Sequence, residues 1–166
     1  QQLQQLQSEG GEPPDAIVVA CGGGGLLRGI QLGVERYGWS STKIIVCETE
    51  GAASFAAAKQ NGGKVVHLNA ITSIATSLGA LAVIPEVLNH SNTFSVVVSD
   101  SQALEACNSF LKSHRVLVEP ACGAALAVLD SNHNSVLQGM KNVIVIVCGG
   151  SAINYEILHE MNKSLL

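Results

Sequence analysis

A chain of 166 residues with 47% hydrophobic content is long enough to bury one core, so a single domain is the expected organisation. Only 13% of its residues are charged, the formal net charge is −4, and there is no basic block, which leaves no electrostatic footprint for nucleic acid and points to a small-molecule partner. No apolar run reaches the ~18 residues of a membrane-spanning helix, and the five cysteines (Cys21, Cys47, Cys107, Cys122, Cys148) are scattered and odd in number, unlike a disulfide framework or a zinc knuckle.

The chain opens without Met on QQLQQLQSEGG, which has neither a basic n-region nor an apolar h-region of a signal peptide. Residues 1–7 read as the last turns of a helix that enters a Gly/Pro loop at 10–14, as though the chain starts inside a larger unit. A soluble, cytoplasmic protein with reduced thiols is the expectation.

Short β-branched runs then alternate with longer segments rich in Ala, Leu and Glu. Residues 16–20 (AIVVA) predict a strand and 26–37 a helix stopped at Gly38; 43–47 (KIIVC) predict a strand and 52–60 a helix; 64–67 (KVVH) predict a strand leading into a helix over 73–81. Residues 95–98 (SVVV) precede a helix from 100 or 101 to 112, with Ser99-Asp100-Ser101 as its N-cap. Residues 116–118 (VLV) precede a helix over 123–130, and 143–147 (VIVIV) precede one over 152–162. Apolar runs without period-2 alternation suit strands buried on both faces, and strand–helix–strand order implies parallel pairing through right-handed crossovers. The predicted fold class is therefore α/β, a parallel sheet flanked by helices.

Four consecutive glycines, Gly22 to Gly25, close the first strand and open a helix. Ligands of such sheets bind outside the carboxyl ends of the strands, and bare backbone there turns N–H groups inward beside the positive end of a helix, which suits a phosphate. The nucleotide P-loop needs Gly-Lys-Ser/Thr, whereas Leu26 and Leu27 follow here; the dinucleotide fingerprint is met only loosely, with Glu48 as its acid. A glycine-rich turn in close helix-to-sheet contact, with no ligand, is the structural alternative. A second glycine corner, Cys148-Gly149-Gly150-Ser151, follows the last strand, and two such corners suggest one elongated ligand touching both.

The set GGGGLL, ETEGAASF, SIATSLGA, VEPACGAALA and VIVCGGS, in this order, closely resembles the carboxy-terminal part of the L-serine dehydratase (L-serine ammonia-lyase) family, fold-type II enzymes dependent on pyridoxal 5'-phosphate, with threonine deaminase and serine racemase as relatives. The resemblance runs from Pro14 to Leu166, and VEPACGAALA with VCGGS is much more specific than the tetraglycine. It implies the large, cofactor-binding domain of such an enzyme, incomplete at its amino end and without most of the small domain. It implies that Gly22, Gly23, Gly24, Gly25 and Leu26 hold the cofactor phosphate, and that Cys148, beside Gly149, faces the pyridine nitrogen. A neutral thiol there leaves the ring largely unprotonated, a milder electron sink suited to β-elimination. Read from residues alone, Cys148 is a small buried core thiol. Cysteine synthase-like transferases carry Ser at this position.

The same resemblance implies a cation site, potassium or a divalent ion, formed by Glu48, Ala52 and the carbonyls of Gly22, Leu78 and Ala80. On its own, Glu48 reads as well as a solvated strand-end residue or an N-cap partner of the next helix. Glu119 reads as a structural ion-pair partner without a catalytic role, and His67, His90, His114, His133 and His159 as surface residues.

This chemistry needs a lysine that bonds the cofactor and removes the substrate α-proton, in a Ser-x-Lys context. None of Lys43, Lys59, Lys64, Lys112, Lys141 and Lys163 fits; Lys43, in SSTK, opens a strand at the end opposite the ligand edge. No catalytic residue is therefore assigned, and this portion alone is expected to be inactive. The complete enzyme is expected to convert L-serine, and L-threonine by the same path, in amino acid catabolism and gluconeogenesis, as a homodimer. A phosphate-ligand binding module or pseudoenzyme is the alternative.

Overall fold

Five residues of nothing but β-branched and small apolar side chains, Ala16–Ala20, form the most deeply buried strand, β1. The computed structural model of the protein describes residues 12–129 and 134–165; the helix end read at residues 1–7 lies outside them. Beside β1 run β2 (Lys43–Thr49), β3 (Thr93–Val98) and β4 (Val143–Val145), in the order β3-β2-β1-β4. Every pairing is parallel, with Ala16 opposite both Lys43 and Val143, and Ile44 opposite Thr93.

The pleat sorts side chains between two layers. Ile17, Val19 and Cys21 of the β1 region, with Ile44 and Val46 of β2, pack beneath α1 (Gly25–Arg36) and α2 (Ser54–Gln60) through Leu27, Ile30, Val34, Phe55 and Ala58. Ala16, Val18 and Ala20, with Ile45 and Cys47, face Ala103 of α3 (Asp100–His114) and Ala121, Ala124 and Ala125 of α4 (Pro120–Leu126). Alanines dominate this second face, where α4 packs against β1 and β2. Gly123 continues the close approach toward α3: a Cβ there would stand 2.6 Å from Cys107 Sγ and collide with the Ala103 carbonyl. The last helix, α5 (Tyr155–Leu165), adds Leu158 to a third cluster with Leu104, Cys107, Val118 and Cys122.

The predicted α/β class and parallel sheet are therefore observed, as is the Ser99 cap: its hydroxyl accepts from Gln102 N while the Gln102 side chain accepts from Ser99 N. Three expectations are corrected. Residues 116–118 form no strand; Val118 is apolar because it is buried between α3, α4 and α5, not because it joins a ladder. Residues 64–67 form no strand either, and Val65 simply covers the α1/α2 layer. Residues 73–81 hold only one turn of 3₁₀ helix, Thr76–Leu78, since their backbone donors bond two or three residues back (Thr76 N to Ile74 O, Leu78 N to Ala75 O, Gly79 N to Thr76 O), while the Ser73 hydroxyl and Ile74 N–H are tied to the Asp100 carboxylate at the start of α3. Smaller shifts occur at ends: α4 starts at Pro120, which suits a first helical position, and α5 starts at Tyr155.

Candidate active site

At the carboxyl edge of the sheet, Cys21 N donates to Cys47 O (3.0 Å) and extends the β1–β2 pairing by one residue before the four glycines begin. Their roles separate. Gly22 sits against the turn at 77–78, where a Cβ would lie 3.3 Å from Leu78 Cα and 3.4 Å from the Leu78 carbonyl oxygen. Gly24 has φ 98°, a left-handed conformation that favours glycine, and a Cβ there would approach Val87 to 3.1 Å. Packing and backbone geometry therefore explain these two. Gly25 is different: it is exposed, with φ negative, and a Cβ would meet nothing within 4 Å. Gly23, also exposed, has only Ala80 Cβ nearby at 3.7 Å.

Helix α1 thus begins with open backbone. Gly24 supplies no side-chain cap and no acidic residue lies in the first turn, so the leading N–H groups of this twelve-residue helix face the edge without a side-chain partner. Leu26 is 47% exposed at the same place. Of the residues expected to cradle a phosphate, Gly22 to Gly25 and Leu26, it is Gly23, Gly25 and Leu26 that leave open space at this edge.

Glu48 is fully buried at the end of β2. Its Oε1 accepts from Phe55 N (2.7 Å) and Oε2 from Ala56 N (2.8 Å), so it caps α2 in place of Ala53, which has no capping side chain. Burial pushes its carboxyl up to about 7, against the two backbone bonds that pull it down. The reading of Glu48 as a solvated strand-end residue is overturned. Ala52, buried, lies in one apolar cluster with Leu78, and Ala80 meets the glycine loop at Gly23. Sequence reasoning missed Ser54: the first residue of α2 is fully buried and its hydroxyl has no hydrogen-bond partner. A serine inside ETEGAASF, one residue before the N–H groups that Glu48 binds, was the available signal.

The second corner is more open. Cys148 is exposed, and Gly149 has φ 122° with free space around its Cβ position. Its thiol is held above the usual range, first by local burial and then by Cys122 and Glu119, which keeps it a neutral thiol. The core-thiol reading of Cys148 is therefore set aside, whereas Cys21, Cys47, Cys107 and Cys122 are buried. Glu119 forms no ion pair among the described residues; instead its Oε2 accepts from Ala152 N (3.2 Å) and its N–H donates to Gly149 O (3.0 Å). A narrow cleft of about 20 Å³ is lined by Thr76 and Ser77 from the Gly22 side and by Glu119 and Ala152 from the Gly149 side, so neighbours of both corners share one opening.

No lysine reaches this edge. Lys43 opens β2 and Lys141 precedes β4, while Lys59, Lys112 and Lys163 lie in the last turns of helices that run back from the carboxyl edge, and Lys64 is exposed just beyond α2. His67, His114 and His159 are exposed; His90 is half-buried against the Thr93 hydroxyl (3.1 Å), and His133 lies outside the described residues.

The model of the pyridoxal-phosphate dependent enzyme family matches residues 2–149. The chain belongs to this family. It is 42% identical to the L-serine dehydratase/L-threonine deaminase of Bos taurus, over 98% of this chain and 53% of that protein, and 36% identical to the L-serine dehydratase of Dictyostelium discoideum, over 98% and 48%. Among solved structures, a fungal L-serine ammonia-lyase from Rhizomucor miehei superposes with a TM-score of 0.92 at 34% identity, covering 99% of this chain and 54% of that one. The chain spans about half the length of the curated relatives it matches.

Proposed function

We propose that this chain supplies the phosphate-binding and ring-nitrogen half of a pyridoxal 5'-phosphate site in an enzyme that eliminates the β-hydroxyl of L-serine, giving pyruvate and ammonia. L-threonine would give 2-oxobutanoate by the same route. The observation that carries the reading is the pair of corners at one sheet edge, open N–H groups at Gly23 to Leu26 and a neutral thiol at Cys148, in a chain 42% identical to an L-serine dehydratase/L-threonine deaminase. Residues 1–166 would form the carboxy-terminal part of the larger cofactor-binding domain.

When bound, pyridoxal phosphate supplies an electron sink that acidifies the α-proton of an amino acid. The N–H groups of Gly23, Gly25 and Leu26, with the α1 dipole, would bind its phosphate dianion. Cys148 would meet the ring nitrogen as a thiol, a weak partner that does not force protonation, which suits a reaction in which a leaving group drains the charge. The base that takes the α-proton is not among the described lysines, all of which lie away from this edge.

A hard cation, potassium or a divalent ion, would sit among Glu48, Ala52 and the carbonyls of Gly22, Leu78 and Ala80. The unpartnered buried hydroxyl of Ser54, one residue before the first N–H that Glu48 binds, is the observation that supports this reading. Five free thiols agree with a reducing, cytoplasmic setting, and a homodimer is the proposed assembly.

The test is pyruvate release from L-serine, followed by a coupled lactate dehydrogenase assay on the full-length protein loaded with pyridoxal phosphate. Pyruvate and 2-oxobutanoate formed from serine and threonine support the assignment. Cofactor binding without keto-acid release from either would favour a non-catalytic phosphate-ligand module instead.

A further inference from the structure

Cys148 is the exposed member of the five cysteines, and what fixes its place is not its own strand. β4 ends at Val145, and among the described residues one further ladder bond follows, Ile146 N to Val18 O (2.9 Å). The segment that carries Cys148 has therefore left the sheet. It is caught again one residue later by Glu119. The Glu119 N–H donates to Gly149 O at 3.0 Å, and the Glu119 carboxylate accepts from Ala152 N at 3.2 Å, so a single residue grips both ends of the turn at 149–152.

The grip is braced on both sides. A Cβ on Gly150 would lie 2.7 Å from Leu117 O and 3.1 Å from Val118 Cα, so the turn lies directly on the backbone that leads into Glu119. Glu119 itself is anchored, since its carbonyl accepts from Cys122 N and Gly123 N (both 2.9 Å) at the start of α4. Pro120 fixes the entry of that helix and is buried. The chain of contacts runs from the buried α4 through Glu119 to the turn and so to Cys148.

We propose that Glu119 is a positioning residue for Cys148, holding the 149–152 turn through Gly149 O and Ala152 N so that the thiol is presented at the ligand edge. The role of Glu119 in catalysis rests on the reading that Cys148 meets the cofactor ring; its effect on Cys148 itself does not. The charge on Glu119 has a second consequence: after local burial and Cys122, it disfavours the thiolate of Cys148 and keeps the thiol neutral.

Two variants separate grip from charge. Glu119→Gln keeps an oxygen for Ala152 N and removes the charge; Glu119→Ala removes both. The readout is the rate of Cys148 alkylation by iodoacetamide as a function of pH in the full chain without cofactor, with the Cys148→Ala protein as blank. The four other thiols are buried, and burial pushes Cys21 and Cys107 up to about 12, so they stay silent while the protein is folded. Glu119→Gln is expected to move the midpoint down by about half a pH unit, the scale of one partly exposed charge interaction, at the same limiting rate. Glu119→Ala is expected to show the same shift and a several-fold higher limiting rate, because the Ala152 end of the turn is released while the backbone bond from residue 119 to Gly149 O remains.

Equal limiting rates for the two variants overturn the positioning role, and a Glu119→Gln profile that overlies the unmodified protein overturns the charge effect. Alkylation is then repeated with pyridoxal phosphate bound. Protection of Cys148 supports the cofactor reading independently. Loss of protection with the Glu119 effects intact removes that reading and leaves the positioning role standing.

Discussion

Glu48 Oε1 lies 2.7 Å from the backbone nitrogen of Phe55, and the same carboxylate satisfies Ala56, so the strand β2 caps the helix that follows it. Both partners are inside the protein, where a donor left without an acceptor costs about 1–3 kcal/mol. Glu48→Ala strands two donors and is expected to lower stability by about 2–4 kcal/mol, read as a fall in the urea midpoint at constant slope. Glu48→Gln keeps one acceptor oxygen and removes a buried charge, so its loss should be clearly smaller. Equal losses for the two variants would show that the carboxylate does not act as the cap.

The tetraglycine separates into packing and ligand positions, and two alanine variants test the division. Gly24→Ala forces a side chain into φ 98° and against Val87 at 3.1 Å, and is expected to cost about 1–3 kcal/mol. Gly25→Ala opens onto free space inside the first turn of α1, so stability should hold or rise by about 0.5–1 kcal/mol. Its effect should appear instead as weaker binding of pyridoxal phosphate, followed by the cofactor absorbance. Undiminished binding in Gly25→Ala would remove the phosphate role from this residue.

What the sequence makes legible follows from how directly a side chain reports its neighbours. β1 and β2 stand out because each run is short, β-branched and apolar at successive positions, and their side chains are covered from both sides of the sheet. Residues 116–118 carry the same signal for a different cause: Val118 is buried among Leu104, Cys122 and Leu158, and apolar character does not say whether the partner is a strand or a helix. The segment 73–81 is misread because its backbone donors close short two- and three-residue loops and its start is pinned by Asp100, a residue 26 positions beyond Ile74 that sequence spacing cannot connect to it. At the site, the glycine runs are visible at once, but the difference between Gly24 and Gly25, the orphaned hydroxyl of Ser54 and the grip of Glu119 exist only in three dimensions.

The small-residue face of α4 leads to a core prediction. Gly123→Ala would press a methyl group onto the Ala103 carbonyl and to 2.6 Å from Cys107 Sγ, at the contact of α4 with α3. Overpacking of this kind costs about 1–3 kcal/mol. The thermal midpoint should fall with the cooperativity of unfolding retained. An unchanged midpoint would mean that α3 can move away from α4 at no cost.

Asp15 ties the start of β1 to the turn before β4, accepting from Lys141 N (2.7 Å) and Asn142 N (2.8 Å). Those two backbone bonds lower its pKa below the usual 3.8. A carboxyl with a depressed folded pKa contributes stability that is fully present above the unfolded value and lost as pH falls through the folded one. Asp15→Asn should therefore be less stable than the unmodified protein at pH ~6, and the gap should close below pH ~3.8 as Asp15 itself protonates. A urea midpoint difference that does not change between these limits would exclude the ionised carboxylate as its source.

Cys148 offers the sharpest separation of chemistry from packing. Because the residue is exposed and the Cβ position of its neighbour Gly149 contacts nothing, Cys148→Ala removes little buried surface and should change stability by less than about 0.5 kcal/mol. In the holoenzyme the same substitution deletes the group proposed to meet the ring nitrogen, so the cofactor absorbance and the rate of keto-acid release should both change. Cys148→Ser, which keeps a hydrogen-bonding atom, should fall between the two, since a hydroxyl is a stronger partner than a thiol but equally neutral. An unfolding loss above about 2 kcal/mol in Cys148→Ala, with absorbance and turnover unchanged, would return the residue to the core and leave the second glycine corner without a cofactor role.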